Sequence, residues 1–210
     1  MFSLQWRDFA QRNSTDPSLN YYTNQFSWGF EAWNASASVN QACRAHYTGL
    51  QGSSPGDAWV CFHGATAMRF VQTPTLVVNS KYDTWQGRGV LQLNTTECPG
   101  TVAADGTVVL CNSGMGDDAV AQQQYWLEYG RAMLGAMGAV DERHGAFLTN
   151  CPGHCATSGA PFRESAFPGT NLKAAVLQWL GEAVANGKQP GWKAPRWLAQ
   201  EGQKCTYAPA

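Results

Sequence analysis

The chain has 210 residues, 44% hydrophobic and only 14% charged, a balance that excludes a disordered tail and suits one packed domain over residues 1–210. Its formal charge of −1, with basic residues scattered, gives no electrostatic reason for nucleic acid or an anionic membrane as partner. No run approaches the ~18 apolar residues of a membrane span.

Residues 2–11 carry Phe2, Trp6 and Phe9 at helical spacing, and the cluster from Asn13 to Pro17 stops them. The opening M-F-S-L-Q-W-R-D is charged and amphipathic, so no signal peptide is read there. Residues 24–33 repeat the pattern with Phe26, Phe30 and Trp33, which predicts a second amphipathic helix packed on a sheet or lid. Glycines and Pro55 make residues 43–64 irregular, so residues 1–72 read as a helical and irregular lid-side segment. The apolar, β-branched run Thr75 to Val78 predicts a strand covered on both faces. Residues 87–116 form an excursion: Cys98 and Cys111 bracket a Pro-Gly turn, the Asp105-Gly106 turn and the run Val108 to Leu110, as in a disulfide-closed hairpin.

Asp117 offers an N-cap for a long helix over 120–137, whose Gly130, Gly135 and Ala136 would let it lie close on a sheet. A second short strand is expected at Ala146 to Leu148. Thr170 could cap a final helix running from Leu172 to Val184 and ended by Gly187. Strand, helix, strand, helix over residues 73–187 predicts an α/β fold with a parallel sheet and right-handed crossovers. Residues 188–210 read as a tail pinned by Trp192 and Trp197.

Both expected strands end in a loop that carries an ionisable residue. Asp83 follows the first in P-T-L-V-V-N-S-K-Y-D-T-W-Q, and His154 follows the second in G-A-F-L-T-N-C-P-G-H-C. Open parallel sheets gather their ligand-binding side chains at this end. An acid that holds an imidazole, which in turn takes a proton from a serine, is the logic of acyl-transfer triads. Alone, Asp83 could equally cap a turn and His154 could be structural. Ser54 lies in a literal G-x-S-x-G, Gly52 to Gly56, but no apolar strand precedes it and Pro55 has no N–H for an oxyanion, so it is read as a turn serine. Ser113 fails too, because Cys111 stands in place of the first glycine. His46, His63 and His144 lack a comparable setting. Zinc at Cys151-Pro152-Gly153-His154-Cys155 would need further ligands at unfamiliar spacings, and neither metal nor cofactor is expected.

Seven cysteines and sequons at Asn13, Asn34 and Asn94 favour an oxidising compartment, hence a secreted glycoprotein. By position Cys43 pairs with Cys61, Cys98 with Cys111 and Cys151 with Cys155, which leaves Cys205 without a partner.

With these residues in view, the chain resembles the pectin acetylesterase and Notum family of α/β-hydrolases, plant-type pectin acetylesterases most. The resemblance rests on the block ending in Y-D-T-W-Q and on F-L-T-N-C-P-G-H-C, and runs from about Tyr21 to the final helix. It implies Asp83 and His154 as catalytic acid and base, acetylated pectin as substrate, a cell-wall or extracellular setting, and a partial α/β-hydrolase sheet flanked by helices. The family's serine lies in a G-C-S-A-G-G elbow that this sequence lacks. The expectation is therefore a carboxyl-terminal half of such an enzyme, inactive by itself, with Cys205 awaiting a partner elsewhere. A Notum-like carboxylesterase acting on a protein-bound acyl group, and a non-catalytic secreted binding module or pseudoenzyme, are the rival readings. An Asp83 carboxylate more than one water away from His154 would favour the module.

Overall fold

The computed structural model describes residues 21–50, 52, 55–94, 96–112, 117–154, 165–167, 170–187, 189–200 and 203–207. The helix expected at 2–11, and Ser54, Ser113 and Cys155, lie outside the described residues. In chain order the elements are α1 (Tyr21–Ala32), α2 (Gln41–Thr48), a 3-10 segment (Pro55–Phe62), α3 (Gly64–Ala67), β1 (Leu76–Ser80), α4 (Thr84–Gly89), β2 (Thr101–Val102), β3 (Val108–Val109), α5 (Asp117–Gly138), β4 (Gly145–Thr149), β5 (Ser165–Phe167), β6 (Thr170–Asn171), α6 (Leu172–Asn186), β7 (Arg196–Leu198) and β8 (Thr206–Tyr207).

The central sheet is parallel, in the order β1-β4-β7, with Leu76 opposite Gly145 and Ser80 opposite Thr149. A parallel strand covered on both faces has no polar side, and all five residues of β4 are buried. Alternation sorts its side chains between two layers. Ala146 and Leu148 join Val77 of β1 and Tyr129, Met133 and Met137 of α5, whereas Phe147 turns the other way onto Leu172 and Ala175 of α6, beside Val78. Full burial of Phe147 or Leu148 contributes about 1.5–3 kcal/mol each. The result is a parallel three-strand sheet with helices packed against both faces, consistent with the partial α/β-hydrolase arrangement expected above.

Residues 188–210 are more than a tail, since Arg196–Leu198 supplies the third strand of this sheet. Trp197 does pack on it, against Phe147. The final helix is capped by Asn171, whose side chain accepts from Ala174 N–H; Thr170 is instead paired with Phe167 in a short antiparallel ladder. The segment expected to be irregular contains α2, capped by Asn40 through Cys43 N–H. Its apolar face is short, Cys43 and the partly buried Tyr47 one turn on, which is too little to announce a helix amid the surrounding glycines. The Cys43–Cys61 disulfide ties α2 to the 3-10 segment, and Cys98–Cys111 closes the β2-β3 hairpin, both as expected. Gly106 adopts φ 83° in the hairpin turn, a left-handed conformation that glycine takes without strain.

Gly130 of α5 is small for a reason other than the sheet. A Cβ there would stand 2.6 Å from the ring of Tyr82, and that ring is itself buried edge-on against Trp126. Gly135 faces open space. Gly130→Ala gains about 1 kcal/mol of helix propensity but overpacks a ring that cannot swing away, which costs typically 1–3 kcal/mol. A lowered denaturant midpoint is the expected outcome; an unchanged or raised one would show that Tyr82 yields.

His63, between the 3-10 segment and α3, is fully buried, stacked on Phe26 at 5.2 Å and met edge-on by Trp59. Burial lowers its pKa to about 4, from an ordinary 6.5. The unfolded chain therefore binds a proton that the folded chain refuses. The contribution of this group is complete above pH 6.5 and is lost as pH falls towards 4, by roughly 3 kcal/mol at most. Urea unfolding at pH 7 and pH 4.5 should reveal the loss, and His63→Leu should remove that component of the pH dependence.

Candidate active site

Asp83 and His154 are 71 residues apart in sequence, yet the parallel register makes them neighbours. With Ser80 opposite Thr149, β1 and β4 end at the same level, and the loops that follow are joined by hydrogen bonds. Lys81 N–H donates to Thr149 C=O at 2.9 Å, and the Ser80 hydroxyl donates to Cys151 C=O at 2.7 Å while accepting from Tyr82 N–H at 2.9 Å. Gly153 N–H reaches back to Tyr82 C=O at 3.4 Å. These bonds commit both backbones up to Asp83 and His154.

Asp83 is buried at the head of α4, where it is the N-cap: Oδ1 accepts from Gln86 N–H at 2.9 Å. The turn-capping role available to an isolated aspartate is thus real, and it coexists with a second one. Nδ1 of His154 lies 3.0 Å from Oδ1 and 2.9 Å from Oδ2. An ionised carboxylate only accepts, so Nδ1 carries the hydrogen and the lone pair is left on Nε2. That nitrogen has no hydrogen-bond partner among the described residues, and the imidazole is 37% exposed. The pair is a fixed acceptor at the carboxyl end of the sheet, able to receive a proton from a hydroxyl brought to its open side.

The support behind the pair is also built. The buried Gln86 side chain accepts a hydrogen bond from the Tyr129 hydroxyl, which locks the first turn of α4 to α5. Trp85, one residue earlier, stacks on the His154 ring. Lys81 is buried beneath the same loop, its ammonium 5.5 Å from the centre of the Tyr82 ring.

One expectation about this loop is overturned. Cys151 pairs with Cys205, 54 residues on, and not with Cys155. The cause is β7: running parallel to β4, it leaves the sheet beside the His154 loop, where Asn150 Nδ2 donates to Gln200 C=O and Gln203 C=O at 2.7 Å each. Cys205 then arrives with its Cα 4.8 Å from that of Cys151, its N–H held by Gly106 C=O. Cys205 therefore has its partner within the chain, and the pairing removes Cys151 as a zinc ligand. Among the described residues no group of three or more His, Cys, Asp or Glu is placed to hold a metal, and no helix is long and apolar enough to cross a membrane. His46 is exposed, while His63 and His144 are buried in packing away from this loop.

No match was found among curated proteins. The family model described as Pectinacetylesterase, by contrast, matches residues 13–189, a span that contains both strands, both loops and the Asp83–His154 pair, and the chain belongs to that family, which points to a carboxylic ester hydrolase.

Proposed function

We propose that Asp83 and His154 are the acid and the base of a Ser-His-Asp acetylesterase that removes acetyl groups from pectin. The single observation that carries the reading is the 2.9 Å contact between His154 Nδ1 and the buried carboxylate of Asp83, at the ends of adjacent parallel strands. A direct contact also speaks against a binding module in which the two residues need not meet. The nucleophile in this reading is the serine of the G-C-S-A-G-G elbow, which this sequence lacks.

The serine Oγ attacks the acetyl carbonyl as its proton passes to Nε2 of His154, and the imidazolium is stabilised by Asp83. Collapse of the tetrahedral intermediate breaks the bond to the sugar oxygen, which takes that proton and leaves as an alcohol. Water, deprotonated by His154, then attacks the acetyl-serine, and acetate departs as the serine recovers its proton. An extracellular setting accords with three disulfides and with exposed sequon asparagines at positions 34 and 94.

The test is acetate release from acetylated pectin. The chain by itself should release none above background. Combined with the amino-terminal portion of a plant pectin acetylesterase, which carries the G-C-S-A-G-G elbow, it should gain activity that His154→Ala abolishes. A folded combination without activity, or activity that survives His154→Ala, overturns the assignment.

A further inference from the structure

The hydrogen bond to Asp83 fixes where Nδ1 of His154 sits but not how the ring is turned. Nδ1 is nearly equidistant from the two carboxylate oxygens, 3.0 and 2.9 Å, so rocking of the imidazole about the line to the carboxylate costs little. Such rocking would sweep Nε2, the atom that must meet the serine hydroxyl, through an arc. A reacting nitrogen needs its position and direction held together, because misplacement by about 1 Å can cost on the order of a hundredfold in rate.

The missing constraint comes from the same turn of helix. Asp83 caps α4 and Trp85 lies two residues on, with its indole stacked on the His154 imidazole: centroids are 5.9 Å apart and the planes are 27° from parallel. An indole left 43% exposed is not there to fill the core. Offset stacking of this kind is worth about 0.5–1.5 kcal/mol beyond buried area. One turn later Gly89 leaves the helix surface bare, and a methyl there would just touch the indole at 3.5 Å. A branched side chain there would have to share the helix face that the indole occupies. The D-T-W-Q-G-R-G stretch is thus one unit in which the first residue holds an edge of the imidazole, the third holds its face, and the seventh makes room.

We propose that Trp85 is a positioning residue for His154, its indole plane setting the ring orientation that the Asp83 carboxylate leaves free. The inference rests on the reading of His154 as the base and adds a residue for which capping and hydrogen bonding supply no role.

The test follows the Nδ1 proton of His154 by nuclear magnetic resonance on the 210-residue chain, with the signal assigned by its loss in His154→Gln. Trp85→Ala should speed its exchange with water by roughly two- to tenfold, while the amide spectrum and thermal midpoint stay close to those of the parent. Trp85→Phe, which keeps an aromatic face, should restore slow exchange. Gly89→Leu, which displaces the indole without removing it, should reproduce the alanine result. Parent-like exchange in both Trp85→Ala and Gly89→Leu overturns the role of Trp85 and leaves the Asp83–His154 pair standing. Absence of a protected Nδ1 proton in the parent chain overturns the pair itself, and this inference with it.

Discussion

Asp83→Asn should lower acetate release by the reconstituted enzyme by about four orders of magnitude while leaving the fold nearly intact. The two consequences separate because Asp83 has two duties. As the N-cap of α4 it accepts from Gln86 N–H, and asparagine caps about as well as aspartate. As the partner of His154 it must accept from Nδ1–H. An amide can turn its NH₂ towards the ring, which favours the tautomer with hydrogen on Nε2 and leaves no lone pair for the serine proton. The charge that stabilises the imidazolium is lost as well. Asp83→Ala should be equally inactive and in addition less stable by about 1 kcal/mol, the usual loss of a capping side chain. Turnover of Asp83→Asn within tenfold of the parent would mean that the pair is structural, however good its geometry.

The second large effect concerns stability. Cys205→Ser should cost about 4 kcal/mol, the chain-entropy value for a link spanning 54 residues, and lower the melting temperature by roughly 10 °C in a chain of this size. Cys151→Ser should do the same, and the double substitution should be little worse than either single one, because all three remove one link. The shorter links of Cys43–Cys61 and Cys98–Cys111, spanning 18 and 13 residues, should each cost about 3 kcal/mol by the same relation. The longer link has a local consequence too. Cys151 C=O receives the Ser80 hydroxyl three residues before His154, so releasing the tail loosens the loop that presents the imidazole. Equal melting temperatures with and without the Cys151–Cys205 link would show that β7 and the hydrogen bonds of Asn150 hold the tail unaided.

Asp83 and His154 were each legible in the sequence because the signal of each is local. An apolar β-branched run that stops at a turn announces a strand end, and Asp83 and His154 each stand within a few residues of one. The same holds for the Asp105-Gly106 turn and for the long helix of residues 117–138, whose cues lie within a few residues of each other. Trp85 was visible as a letter of the motif, but its stacking depends on a loop 69 residues away (154 − 85) and no periodicity reports that.

What the amino-acid order marked by itself was the strands β1 and β4, the helices α1, α5 and α6, the β2-β3 hairpin and the ionisable residues that follow the two strands, since propensity, capping and alternation act over one or two turns. Which ends meet was decided only in three dimensions. The 3-residue strand Arg196–Leu198 is too short and too ordinary to announce itself, yet by joining β4 it turns an apparent tail into the third strand and carries Cys205 to Cys151. Thr170 and Asn171 both lie in the ladder with β5, and the start of α6 at Leu172 leaves the cap to Asn171. The place of β7 and of Cys205 was fixed by register between distant segments, a quantity that burial and hydrogen-bond pairing set jointly and that no single stretch of chain contains.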